Sequence, residues 1–186
     1  YIARRVALEG FLALAPDLLS VSGGTPPSDD AARDQHARTD QKKMFSAAVA
    51  AIGFTKSHAE STGNVGTVGF CFGGGMVNRM AVASPDLKAG VAYYGAQPAA
   101  SDVPSIKAAL LLHYAELDER IDAGIPAYEA ALKDNKKRYT IYTYPNVNHG
   151  FNNDTGGPRY DKAAADLAWS RTIAFLKQEL GTPPKV

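Results

Sequence analysis

The chain of 186 residues holds a single cysteine, Cys71, so no disulfide can form within it and the redox compartment is not indicated. Charge is nearly balanced, at a formal net +1. That removes the electrostatic case for nucleic acid or a membrane surface as a partner. No apolar run approaches the ~20 residues that a membrane-spanning helix needs. Four histidines, scattered along the chain with that one cysteine, show no metal-ligand spacing. Neither Gly-x-Gly-x-x-Gly nor Gly-Lys-Ser/Thr occurs, so no nucleotide cofactor is expected either. There is no internal repeat and no low-complexity segment. The chain opens on Tyr1-Ile2-Ala3-Arg4-Arg5, with neither an initiator Met nor a signal pattern. That opening reads as the middle of a helix, which leads us to expect further N-terminal sequence.

What is present is the composition of an ordinary globular domain, 45% hydrophobic and 21% charged. Strand and helix signals alternate along it. Tyr1 to Glu9 reads as the end of a helix closed by Gly10. The apolar run Phe11 to Ala15, stopped by Pro16, predicts a buried strand. Asp17 to Asp30, with Gly23-Gly24 and Pro26-Pro27, predicts a loop or lid. Asp40 to Lys56 predicts a helix with Met44, Ala47, Ala48, Ala51 and Ile52 on one side. Further strands are predicted at Asn64 to Phe70, Leu87 to Tyr94, Ala108 to Tyr114 and Arg138 to Tyr144. Helices are predicted at Met76 to Ala83, Ile121 to Leu132 and Tyr160 to Leu180, the last closed by Gly181 and Pro183-Pro184. This alternation implies an α/β fold, a mostly parallel sheet with helices on both faces. In such folds, chemistry sits just beyond the C-terminal ends of strands.

Cys71 lies at such a place, in Gly69-Phe70-Cys71-Phe72-Gly73-Gly74-Gly75 between a strand and a helix. This is the pattern of a nucleophile elbow with Cys in the usual place of Ser. The glycines two before and two after the cysteine would let strand and helix approach closely. A helix N-terminus beyond Cys71 would favour its thiolate. A small buried hydrophobe is the alternative role for a lone cysteine. A cysteine nucleophile needs a base. His36 and His58 lie in polar surroundings, and His113 reads as a buried, hydrogen-bonded histidine in a strand. His149, in the loop Pro145 to Phe151 after a late strand, is placed as a base would be. The carboxylate that orients the base should fall between nucleophile and base. Asp118 does so, in the turn after the Ala108 to Tyr114 strand, with Glu116, Glu119 and Asp122 as neighbouring competitors. Its alternative role is a helix N-cap.

The segments Gly69-Phe70-Cys71-Phe72-Gly73-Gly74, Leu117-Asp118-Glu119-Arg120-Ile121 and Asn148-His149-Gly150-Phe151 together resemble the dienelactone hydrolases, the carboxymethylenebutenolidase-like proteins of the α/β-hydrolase fold. Gly10 to Leu18 and Tyr93-Tyr94-Gly95 are similar to that family as well. The resemblance covers essentially all of residues 1–186. It implies one α/β-hydrolase domain, the larger C-terminal part of the family domain, with its first strands missing here. It also implies a Cys71-His149-Asp118 triad acting on a small-molecule ester or lactone through a thioester, with the backbone N–H of Phe72 as one oxyanion donor. The family's second oxyanion loop and a glutamate that helps activate the cysteine belong to the missing part. Family members acting on dienelactone bind its carboxylate with arginines. Leu18 to Gly24 holds no Arg, and Arg159 follows His149 out of register, which points to a related subgroup with another substrate. Two rival readings remain, an inactive protein of the same fold and a hydrolase of a thioester or phosphotriester.

Overall fold

A computed structural model describes residues 1–181. The predicted stop at Pro183-Pro184 lies outside them. The chain falls into two compact units, Tyr1–Gly63 and Asn64–Val186.

In the first unit, helix α1 spans Ile2–Leu8 and ends at Gly10, whose φ of 92° suits a residue without Cβ. The predicted strand at Phe11 to Ala15 does not form: among the described residues, no sheet ladder includes this segment. Its side chains still alternate in exposure, with Leu12 and Leu14 outward, as in an extended chain. An extended apolar run becomes a strand only where a neighbouring backbone completes its hydrogen bonds. The predicted loop is more ordered than expected. Asp17 accepts hydrogen bonds from Leu19 N–H and from both the N–H and hydroxyl of Thr25, closing a turn around a 3-10 helix at Leu18–Ser22. A helix absent from the sequence reading, α2, spans Asp29–Arg38 and is capped by Ser28. Helix α3, Gln41–Ser57, is capped by Asp40 and buries Met44, Ala48 and Ile52, a stripe at four-residue spacing.

The second unit carries a four-stranded parallel sheet, with strands β1 Val65–Phe70, β2 Leu87–Tyr93, β3 Ala109–Ala115 and β4 Tyr139–Tyr144 in spatial order β1-β2-β3-β4. Parallel strands need crossovers. Helix α4, Phe72–Ala83, makes the first. The predicted helix at Ile121 to Leu132 is two pieces, α5 Glu119–Asp122 and α6 Ile125–Asp134, with Ala123-Gly124 between them and Pro126 opening the second. Pro lacks the N–H that a continuous helix would require there. Helix α7, Lys162–Leu180, starts at Asp161, whose side chain accepts from Ala164 N–H.

Helices cover both faces. A Cβ on Gly66 would meet Leu176 and Leu180 of α7, while one on Gly90 would meet Val77 of α4. Gly66 pairs with Ala89, the neighbour of Gly90, so these contacts lie on opposite faces. β3 is buried along its whole length, as expected for a strand covered twice. On the α7 face a polar chain is sealed in. Tyr93 hydroxyl and His113 Nε2 both meet Thr172 Oγ1, at 2.6 and 3.1 Å, and Tyr144 hydroxyl meets His113 Nδ1 at 3.0 Å. His113 is fully buried, as its place in an apolar strand led us to expect, and burial pushes its pKa down to about 3.

Candidate active site

The strand order decides which residues can meet. Each crossover adds one strand beside the last, so the C-terminal ends of β1, β2, β3 and β4 form a row. Cys71 follows β1, Tyr94 follows β2, Asp118 follows β3, and His149 follows β4.

Cys71 occupies the turn between β1 and α4 with φ 52° and ψ −117°, a conformation that L residues rarely adopt. Its N–H donates to Tyr93 O (3.1 Å) and its carbonyl accepts from Gly75 N–H (3.2 Å). The tightness of the turn falls on one of the two glycines expected, Gly69, and on Gly74 in place of Gly73. A Cβ on Gly69 would lie 2.1 Å from Gly73 O and 2.4 Å from Gly73 C, so Gly69 is required. A Cβ on Gly73 would meet nothing within 4 Å. Its symmetrical place in the motif is therefore not a steric need. Gly74 is the second tight point, since its Cβ would lie 2.6 Å from Tyr93 O and 2.9 Å from Gly95 Cα. Close backbone contacts of α4 with β1 and with the end of β2 thus hold the elbow.

Asp118 is buried and starts the short α5, yet its side chain caps no helix N–H. It meets His149 instead, with Oδ2 2.5 Å from Nδ1. A carboxylate only accepts, so Nδ1 carries the proton and Nε2 is left to take another. The competing carboxylates are engaged elsewhere or remote: Glu116 accepts from Asn146 N–H at 2.7 Å, and no hydrogen bond joins Glu119 or Asp122 to His149 among the described residues. Two backbone bonds bring the ends of β3 and β4 together, Glu116 N–H to Tyr144 O and Leu117 N–H to Val147 O, each 3.0 Å. They carry the parallel pairing past Tyr144 and set the 118 turn against the 149 loop. That loop turns at Asn146 and Gly150, both with positive φ. His149 N–H donates to the Asn148 side chain (2.7 Å).

The structure therefore joins Asp118 to His149 directly and places Cys71 in the same row, but no hydrogen bond reaches Cys71 Sγ among the described residues. The helix N-terminus that the sequence led us to expect does follow Cys71, while burial of the sulfur acts in the opposite direction. Partial desolvation of the sulfur pushes the Cys71 pKa up; the field of Arg159 opposes this, Asp118 reinforces it, and Arg120 again opposes it. The residue is exposed at the surface, so the effect is local to the thiol. Phe72, the expected oxyanion donor, is the first residue of α4, and it is partly exposed, like Leu117 beside Asp118.

Two residues gain importance that the sequence reading did not give them. Arg159, set aside as out of register, is the cation acting most strongly on the Cys71 thiol. Tyr94 had only a resemblance to recommend it, and it packs against His149 with ring centroids 4.9 Å apart. Among the described residues, no group of three or more His, Cys, Asp or Glu could hold a metal, and no helix is long and apolar enough to cross a membrane.

Comparison with known proteins follows the same lines. A family model described as the dienelactone hydrolase family matches residues 1–180. A protein of Escherichia coli K12, provisionally named a carboxymethylenebutenolidase, is 31% identical over 201 aligned positions, covering 95% of this chain and 70% of that protein. One from Saccharolobus solfataricus with the same provisional name is 33% identical over 139 positions, covering 74% of this chain and 52% of that protein. The chain thus spans about half the length of one relative and seven-tenths of the other. The crystal structure of a provisionally named dienelactone hydrolase from Klebsiella pneumoniae superposes with a TM-score of 0.82 at 24% identity, over 95% of this chain and 79% of that one. A dienelactone hydrolase-like promiscuous phosphotriesterase from metagenomic libraries gives 0.80 at 24% identity, over 97% and 80%. At that identity the likeness concerns the fold.

Proposed function

Because this chain belongs to the dienelactone hydrolase family, we propose that it is a hydrolase of esters or lactones working through Cys71, His149 and Asp118. The observation that carries this reading is the commitment of the buried Asp118 carboxylate to His149 Nδ1, at the ends of adjacent strands and in the same row as the elbow cysteine. The one family match across residues 1–180 supports treating both compact units as parts of a single domain.

The chemistry follows from the protonation states. Cys71 rests as a thiol, since its pKa is raised. Its proton passes to His149 Nε2 as the sulfur attacks the substrate carbonyl carbon. The C=O electron pair moves onto oxygen, and the oxyanion is met by the Phe72 N–H. One such donor is worth roughly 3–4 kcal/mol of barrier. When the C=O reforms, the C–O bond to the leaving group breaks, and the imidazolium gives its proton to the departing alkoxide. The acyl group is then held on sulfur as a thioester. His149 next takes a proton from water, the hydroxide adds to the thioester, and the carboxylic acid leaves as the thiol is restored. Throughout, Asp118 fixes the tautomer and stabilises the imidazolium. The Sγ–Nε2 contact must tighten once substrate is bound, as catalytic hydrogen bonds commonly do.

Hydrolysis of p-nitrophenyl acetate by wild type and Cys71→Ala tests the reading. Loss of turnover in the variant is expected. Equal rates would remove Cys71 as nucleophile, and no turnover by either on a panel of esters and lactones would favour an inert protein of this fold. A phosphotriester belongs in the same panel, because one similar structure is titled a promiscuous phosphotriesterase.

A further inference from the structure

We propose that Tyr94 is a positioning residue that holds the His149 imidazole in line with Cys71; this rests on the reading of His149 as the base. The starting point is an outlier of backbone geometry. Tyr94 has φ 38°, in the left-handed region, yet it is neither Gly nor Asn. Such strain persists only where surrounding structure fixes it, and it gathers at functional sites.

The conformation changes where the ring goes. In a regular strand Tyr93 and Tyr94 would point to opposite faces. Here their rings are 6.1 Å apart and edge-on, and both belong to one aromatic cluster with Phe70 and Phe151. The turn therefore brings the Tyr94 ring onto the side where the 149 loop passes. There it touches that loop at two places. Its ring lies 4.9 Å from the imidazole of His149, tilted by 54°. It meets Phe151 in a T-shaped contact at 5.4 Å. The backbone N–H of Asn152 lies on the side of its hydroxyl and partly offsets the effect of burial there. The residue is 1% exposed, and burial, with a smaller effect from Cys71, pushes its hydroxyl pKa upward, so it stays neutral.

The two neighbours of Tyr94 in the chain also hold the nucleophile. Tyr93 O accepts the Cys71 N–H, and Gly95 packs on Gly74 so closely that a Cβ on either would collide with the other's backbone. Residues 93–95 thus form a bridge whose two ends fix the elbow and whose middle ring fixes the base. Asp118 holds Nδ1 and so sets which nitrogen is protonated. A single hydrogen bond leaves the imidazole plane able to swing about it, and the Tyr94 ring blocks that swing. Misplacement of a reacting group by about 1 Å can cost about 100-fold in rate.

The test uses the whole protein and p-nitrophenyl acetate. Tyr94→Leu fills the space without a ring or hydroxyl, and Tyr94→Phe keeps the ring. We expect kcat to fall about 10- to 100-fold in Tyr94→Leu with KM within about twofold, and Tyr94→Phe to recover most of that loss. A purely structural ring would not produce the next result. In a His149→Ala background, Tyr94→Leu should change the residual rate by less than about twofold, because residues that act as a unit are not additive. If Tyr94→Leu lowers the rate equally with and without His149, or leaves kcat at the wild-type value, the proposal is overturned. A His149→Ala protein with full activity would instead overturn the reading of His149 as base. If Tyr94→Leu does not fold, the comparison of Tyr94→Phe with Tyr94→Met, an unbranched apolar chain, decides on the same criteria.

Discussion

Gly69 and Gly73 stand symmetrically about Cys71, and the structure predicts opposite outcomes for the same substitution at each. In Gly69→Ala the new methyl would sit 2.1, 2.4 and 2.9 Å from Gly73 O, Gly73 C and Gly74 N. All three are backbone atoms of the first turn of α4, so no side chain can rotate away. Strand and helix would have to separate by about 1 Å or more to restore ordinary contact distances. Overpacking costs typically 1–3 kcal/mol, and backbone-on-backbone contact places this case at about 3 kcal/mol or above. For a chain of this size each kcal/mol lowers Tm by about 2–4 °C, which gives a fall of about 6–12 °C. Gly73→Ala meets nothing within 4 Å and lies inside a helix. Removing backbone freedom there stabilises by up to about 1 kcal/mol, or about 2–4 °C in the other direction. Thermal unfolding followed by circular dichroism on both variants measures this directly. If Gly69→Ala melts within 1 °C of wild type, or Gly73→Ala is destabilised as much as Gly69→Ala, the steric account of the elbow is wrong.

Asp118→Asn keeps the shape of the side chain but lets it donate to His149, favouring the wrong tautomer. Ester hydrolysis should fall by about two to four orders of magnitude with Tm nearly unchanged, and an undiminished kcat would remove Asp118 from the machinery. His113 has a folded pKa of about 3 against an ordinary 6.5, so the unfolded chain binds its proton first. Stability is therefore complete above pH 6.5 and is lost as pH falls towards 3. At pH 4.5 the loss is about 3 kcal/mol, from two pH units at about 1.4 each. Urea unfolding at pH 7 and 4.5 should show this slope in wild type and a much weaker one in His113→Gln; equal slopes would refute it.

Features that depend on nearby residues were legible before any coordinates. Gly69, Cys71 and the apolar run before them mark a strand-to-helix turn within seven residues. Asp118 and His149 could be chosen because a parallel sheet places each just beyond a strand. What escaped depends on contacts far along the chain. Phe11 to Ala15 has a strand's composition, but a ladder needs a partner backbone that composition cannot reveal. Helix α2 carried its Ser28 cap and acidic first turn in plain view, and the Gly and Pro residues before it hid that signal. Arg159 lies ten residues past His149, and only the path of the intervening loop brings its field onto Cys71. Tyr94 stood out only by resemblance, since nothing local says that its φ is positive. Desolvation of the Cys71 sulfur was hidden as well, because it depends on everything packed around the thiol and not on the adjoining helix terminus alone.

The sequential order of the four strands has a bearing on how the protein comes to be competent. Neighbouring strands lie about 4.8 Å apart, so the row from Cys71 to His149 is a ruler whose marks are laid down in the order of synthesis. The first mark is made with the first strand of the sheet and the last only when β4 has docked. On the proposed triad, Cys71 and His149 share one site only once β4 has paired with β3. Recovery of turnover during refolding would therefore time the arrival of the final strand, a clock more specific than the return of helical signal.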